Sequence, residues 1–322
     1  MGSELVVNVG QGLAVQAVSD MLDSWTKYID ASQATVQGYT RAVRQFRNYL
    51  QANNIVAPVR EDVISFREQL KAEGKKPATI QAYIQAVRLF FQWASQQGLY
   101  ANIAEHIKGA KLDVGHKKDC LTAKQAGKLV TSIDTSTIAG KRDYAIILAM
   151  LTGGLRTIEI VRADIGDLRT VADFTALYLQ GKGHTEKTQY IKVSEQLEDA
   201  IRNYLKARTE TGEILQDSSP LFICASNKNV FGRLTTRSVS RIAKLHLVDI
   251  GLNSSRLTAH SLRHTTATLN LLAGASLEET QQLLRHTNIN TTMIYSHALE
   301  RANNNSEIRV TDAIFDAIAQ QA

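Results

Sequence analysis

Apolar residues recur at spacings of three and four along most of this chain, and only Pro58, Pro77 and Pro220 stand in its 322 residues to interrupt them. That spacing lines one face of a helix, and proline is the residue that breaks one. A mainly helical fold is the consequence. Ser32 can cap a helix running to about Asn53, with Val36, Tyr39, Val43, Phe46 and Leu50 on its apolar face. A second helix is predicted from about Arg60 to Glu73, stopping at the turn Gly74-Lys75-Lys76-Pro77. A third starts near Ala78, buries Ile80, Tyr83, Ile84, Val87, Phe90, Phe91 and Ala94, and ends at Gly98.

Between Lys108 and Asp119 the periodicity fades. Two glycines and Lys111, Lys117 and Lys118 read as a basic linker between two domains. Beyond it, Thr122 caps a helix over Ala123 to Ile133, and another covers about Lys141 to Leu151, ending at Gly153-Gly154. Two strand-like runs follow, Ala176 to Gln180 and Gln189 to Val193, joined by a glycine-containing turn. Helical patterns resume at Glu195 to Arg208, Thr236 to Gly251, His260 to Ala273 and Leu277 to Arg285. Thr311 to Ala319 forms a short amphipathic tail with Ile314, Phe315 and Ile318 apolar. The expected fold class is therefore mainly α with a small β-hairpin or sheet, an α+β chain. Its expected division is an N-terminal tail at 1–14, where Met1-Gly2-Ser3 reads as a cloning scar, and a helical domain at 15–107. A linker at 108–120, a second domain at 121–305 and a C-terminal segment at 306–322 complete it.

The formal charge of +6 suits a polyanionic partner. Arg41, Arg44 and Arg47 fall on one side of their helix, and Lys75, Lys76, Lys117, Lys118, Arg237 and Arg241 extend the set of candidate phosphate contacts. For any one of them a solvated surface charge is the plainer reading. Two distant cysteines, Cys120 and Cys224, make neither a disulfide framework nor a zinc pattern. With no signal peptide and no membrane span in the sequence, the expected location is cytoplasmic, associated with the nucleoid.

Four clusters carry residues fit for chemistry. Arg156 and Glu159 lie in Thr152-Gly153-Gly154-Leu155-Arg156-Thr157-Ile158-Glu159, and Lys182 lies between Gly181 and Gly183 in the hairpin turn. His260, Arg263 and His264 lie in His260-Ser261-Leu262-Arg263-His264, and His286 precedes Tyr295 by nine residues. Singly, each has a bland reading: a helix-terminus charge, an exposed turn, a structural histidine, and a packing tyrosine after a helix. Zinc on His260, His264, His286 and His297 is disfavoured, because the metal-binding His-Glu-x-x-His pattern is absent. Neither a metal nor any other cofactor is expected.

Together the four clusters, in this order and spacing, resemble the tyrosine recombinase (phage integrase) family. The resemblance spans essentially the whole chain, since the first domain is similar to the family's helical, SAM-like core-binding domain. It implies that Tyr295 is a nucleophile, that Arg156 and Arg263 are the two catalytic arginines, and that Lys182, His260 and His286 complete the catalytic set. Glu159 takes a supporting acidic position and His264 a position usually thought structural. Arg285 departs from the pattern, standing where the family usually has glycine; a phosphate contact and an altered turn are both open for it. Lys187, a second lysine in the same turn, competes with Lys182.

The chemistry fits these residue types. Attack on a phosphodiester builds negative charge on its non-bridging oxygens, and two forked, permanently charged guanidiniums can hold it without a metal. A tyrosine with an ordinary pKa of about 10 needs a proton acceptor, for which His260 is the candidate, and the 5′ oxygen needs an acid, for which Lys182 is. The 3′-phosphotyrosyl link stores the bond energy for resealing. The resemblance implies double-stranded DNA recombination sites as substrate, a homo-tetramer on DNA acting through a Holliday junction, and accessory DNA-bending or directionality factors. The expected use is integrating or mobilising a genetic element. Alternatives are an Xer-like chromosome or plasmid dimer resolvase, a type IB topoisomerase and a non-catalytic DNA-binding regulator.

Overall fold

A computed structural model describes residues 15–111, 119–181, 186–224, 231–302 and 304–319. The side chains of 15–20, 297–302 and 317 lie outside that description. Two compact units divide the chain, Met1–Val114 and Gly115–Ala322. Among the described residues no helix is long and apolar enough to cross a membrane.

The first unit holds α1 (Val15–Tyr28), α2 (Gln33–Ala52), α3 (Arg60–Ala72) and α4 (Pro77–Gln96). Each boundary has a local cause. The Ser32 hydroxyl accepts the Thr35 amide at 3.3 Å, satisfying an orphan donor at the start of α2. Pro77 opens α4 with its fixed φ, and Gly98 follows its end with φ +66°. The helices meet on an aromatic core. Trp25 stands edge-on to Phe90 at 5.4 Å, and Phe46 to Phe66 at 5.2 Å and to Phe91 at 5.9 Å. Burying each of these rings contributes about 1.5–3 kcal/mol. The expected α2 face is buried from Val43 through Phe46 to Leu50, whereas Val36 and Tyr39, nearer its open end, are half-buried.

The second unit is built around α6 (Ile138–Thr152), whose residues from Ala145 to Leu151 are buried. It follows α5 (Ala123–Thr131) and precedes the short α7 (Thr157–Arg162). Next come a 3₁₀ turn at Ile165–Asp167 and an antiparallel sheet of β1 (Leu168–Val171), β2 (Phe174–Leu179) and β3 (Gln189–Lys192), in that order. The helices α8 (Glu195–Thr209), α9 (Thr236–Asp249), α10 (Ala259–Leu272), α11 (Leu277–Leu284), α12 (Asn290–Ala302) and α13 (Ser306–Ala319) complete it. The Thr266 hydroxyl on α10 reaches the carbonyls of Met150 at 3.0 Å and Leu151 at 2.8 Å, pinning α10 to the end of α6.

Two expectations need correction, and one is extended. The expected small β-hairpin or sheet is a sheet of three strands, the two expected runs and β1 before them. Its first strand is only four residues long, and the turn after it places Ala172, not glycine, at φ 52°, so neither alternation nor turn chemistry marked it. Tyr295 is within a helix, α12, although the polar stretch around it has no apolar period. The Asn288 carboxamide accepts the Asn290 amide at 2.9 Å where this helix begins, and Thr292 and Tyr295 turn inward. The C-terminal helix starts at Ser306, not Thr311, and exposes Ile308 and Val310 besides Ile314, Phe315 and Ile318.

Candidate active site

Gly153 and Gly154 end α6, Gly154 with φ +58°, and turn the chain so that Arg156 occupies the position just before α7. The Arg156 amide donates to Glu159 Oε2 at 2.8 Å and its Nη1 to Oε1 at 2.7 Å. Glu159 thus supplies one half of a capping box, its carboxylate accepting the amide of the residue at the cap position. Glu159 is fully buried. Burial opposes its charge, but Arg285 together with the amide and guanidinium of Arg156 outweighs it and holds the carboxyl below its ordinary range.

Arg263 projects from the second turn of α10 and is 1 % exposed. Its Nη1 donates to the Gly154 carbonyl and its Nη2 to the Leu284 carbonyl, so it joins the α6–α7 turn to the end of α11. Burial, then Arg156 and Arg285, lower its pKa to about 9, against the pull of Glu159 and Tyr295. It therefore stays charged at neutral pH. Arg156, His260 and Arg263 line one cleft of about 350 Å³ with Leu155, Thr157 and Ser240.

His286 follows Arg285, which adopts the left-handed conformation at φ 54°, ψ 48°. The ring nitrogen Nδ1 lies 2.9 Å from the hydroxyl of Thr292, a fully buried residue. Burial, then the cations Arg263, Arg156 and Arg285 and lastly His260, push its pKa down to about 4. Its ring lies parallel to that of Tyr295, with centroids 6.5 Å apart. Tyr295 also meets His264 at 5.1 Å, and His264 meets His260 edge-on at 4.4 Å. The phenol is 4 % exposed against Ala267 and Leu284. Burial raises its pKa to about 12, Arg263 and Arg156 oppose that, and Cys120 adds to it.

Arg156, Glu159, His260, Arg263, His264, His286 and Tyr295 are thus gathered in one region of the second unit. Lys182 and Gly183 lie outside the described residues. Lys187 is bound elsewhere: its Nζ is 2.6 Å from Asp164 and 2.5 Å from Asp167, and Arg233 reaches the same Asp164. Arg285 turns inward, its guanidinium donating to the carbonyls of Leu283 at 2.6 Å and Gly153 at 3.2 Å and to Glu159 at 2.9 Å. Both Nη groups of this residue, for which the sequence left a phosphate contact open, are thus already engaged inside the protein.

Among the candidate DNA contacts, Arg41 and Arg44 are exposed on α2, and Arg47 is half-buried. Arg237 and Arg241 are exposed on α9, Lys76 is exposed, and Lys75 pairs with Glu73 at 3.5 Å. Lys117 and Lys118, and the side chain of His297, fall outside the described residues. Sequence reasoning missed Thr292. Its spacing of three from Tyr295 would have put both on one face, had α12 been recognised.

Known proteins resemble the chain at both levels. The sequence profile of the Phage integrase family matches residues 119–301, and that of the Phage integrase, N-terminal SAM-like domain matches residues 22–98. Tyrosine recombinase XerC of Caldanaerobacter subterraneus is 35% identical over 197 residues, an alignment spanning 61% of this chain and 52% of that protein. Tyrosine recombinase XerC of Corynebacterium glutamicum is 30% identical over 291 residues, spanning 86% of this chain and 87% of the relative. Among solved structures, the XerH site-specific recombinase bound to difH substrate aligns with a TM-score of 0.69 at 20% identity, covering 90% of this chain and 84% of that one. It shares the two-domain, mostly helical fold.

Proposed function

This chain belongs to the phage integrase family of tyrosine-type site-specific recombinases, and we propose on that premise that it breaks and rejoins duplex DNA through Tyr295. The observation that carries the reading is the gathering of Arg156, Arg263, His286 and Tyr295, residues up to 139 positions apart (295 − 156), in one region of the second unit, with Arg156 and Arg263 lining its cleft and His286 stacked beside Tyr295. The Tyr295 oxygen attacks the phosphorus while the bond from phosphorus to the 5′ oxygen breaks. The phenolic proton passes to His260, and Lys182 gives a proton to the departing 5′ oxygen. Arg156 and Arg263 hold the non-bridging oxygens. With Thr292 donating its hydroxyl proton to Nδ1, neutral His286 carries its own proton on Nε2 and offers it to the same oxygens. The engagement of Lys187 with two carboxylates supports Lys182 as the acid. The 5′-hydroxyl of a second strand then reverses the steps, giving strand exchange without an external energy source.

In the free protein a buried phenol with a pKa of about 12 is a poor nucleophile. The substrate is a pair of double-stranded recombination sites, held by four copies of the chain and served by accessory DNA-bending or directionality factors. The exposed face of α13 docks on a neighbouring copy. The work is done in the cytoplasm, on the nucleoid. Integration or mobilisation of an element is one use of this activity. The XerC relatives, one matched over 87% of its length, favour an Xer-like dimer resolvase.

The test is a nicked suicide duplex resolved on a denaturing gel. Wild-type chain should form a covalent adduct, and Tyr295→Phe should bind the duplex and form none. An adduct with the Phe variant would sink the assignment. Exchange between two sites, measured beside supercoil relaxation, separates a recombinase from a topoisomerase.

A further inference from the structure

We infer that Arg285 is a positioning residue for DNA cleavage, acting through Glu159 to lock the turn that carries Arg156 to the turn that carries His286. The inference rests on the functional reading above. Its starting point is a local conflict. Residue 285 ends α11 in the left-handed conformation, which glycine adopts without strain and a side chain does not. Something must offset that strain in this chain.

The side chain does so by bridging. It is 4 % exposed, and Nη1 donates to the carbonyls of Gly153 and Leu283 while Nη2 donates to the carbonyl of Gly154 and to Glu159 Oε2. In return the Arg285 carbonyl accepts from Arg156 Nη2 at 3.3 Å. Glu159 is thereby shared, one oxygen to Arg156 Nη1 and the other to the Arg156 amide and Arg285. The 153–156 turn and the 283–286 turn come from opposite ends of the second unit's sequence, and this exchange holds them face to face. Among the described residues Glu159 pairs with the guanidiniums of Arg156 and Arg285 and acts electrostatically on Arg263, one carboxylate among three cations, so the region keeps a positive excess for an incoming phosphate. Glycine at 285 would relieve the backbone and lose both the bridge and the charge.

The test uses the full chain on the nicked suicide duplex, with wild type and Tyr295→Phe as controls on the underlying reading. A wild-type chain that forms no adduct overturns that reading and this one with it. Given the adduct, Arg285→Gly should leave duplex affinity unchanged and slow single-turnover cleavage at saturating DNA by about ten- to a hundredfold. Arg285→Lys keeps the charge without the fork and should recover part of the rate. In a double variant with Glu159→Gln, the losses should combine to less than their product, because both changes cut the same link. Wild-type cleavage by Arg285→Gly, a loss that follows affinity alone, or fully multiplicative losses in the double variant would overturn the proposal. Should Arg285→Gly not fold, Arg285→Lys and its cycle with Glu159→Gln decide in the same way.

Discussion

The arginines around Glu159 and those along α2 and α9 carry the same charge under opposite conditions. Arg263 and Arg285 are almost wholly buried, and their guanidiniums are held by backbone carbonyls and one carboxylate. Arg41, Arg44, Arg237 and Arg241 are exposed. Burying a cation is costly, and a helix surface offers a cheaper place for it. The buried set gains fixed direction: a guanidinium already stripped of water and aimed needs little rearrangement as charge develops on a phosphate. An exposed arginine keeps its hydration and rotamer freedom and serves duplex binding by releasing counterions. The contrast predicts that buried arginines govern rate and exposed ones govern affinity.

The strongest attack on that division is Arg263→Ala. Cleavage should fall by about 10²- to 10³-fold in the suicide-duplex assay. The Leu284 carbonyl would lose the Arg263 donor and the Gly154 carbonyl would keep only Arg285, costing about 1–3 kcal/mol in denaturant unfolding. Next comes Arg156→Lys, which preserves charge and loses the fork. Cleavage should slow by about tenfold or more while duplex affinity holds, and equal slowing and weakening would blur the distinction.

A smaller effect should show in the pH dependence of stability. The folded state lowers the His286 pKa from 6.5 to about 4 and so favours neutral imidazole. Its contribution is fully present above 6.5 and is lost as pH falls from there towards 4, because the unfolded chain takes up the proton first. The melting temperature of wild type should therefore drop more steeply across that window than that of His286→Asn, and parallel curves would contradict this. Smallest per residue is the exposed set. Arg41→Ala and Arg44→Ala should each lower the salt dependence of duplex affinity by about one unit of slope. Cleavage at saturating DNA should stay unchanged, and a rate loss there would move α2 into the catalytic class.

The same division explains what was legible beforehand. Helices with apolar faces, such as α2 and α4, announce themselves because their period is local. The four chemical clusters were visible through their residue types, order and spacing. β1 and α12 were not, since one is four residues long and the other is polar. Thr292 was hidden with α12, and the burial of Tyr295 could not be read from a polar stretch.

Repeated apolar spacing and near-absence of proline were enough to require a mainly helical chain, because helix formation depends on neighbours a few residues away. Residue identity and order were enough to nominate Arg156, His260, Arg263, His286 and Tyr295. Only the tertiary structure decided which charges are held and which are free. It bound Lys187 to Asp164 and Asp167, turned Arg285 from a possible phosphate contact into an internal bridge, and shielded the Tyr295 phenol from water. Burial and ion pairing are set by segments more than a hundred residues apart in some cases, as from Gly153 to Arg285, and no local pattern in the sequence encodes such a meeting.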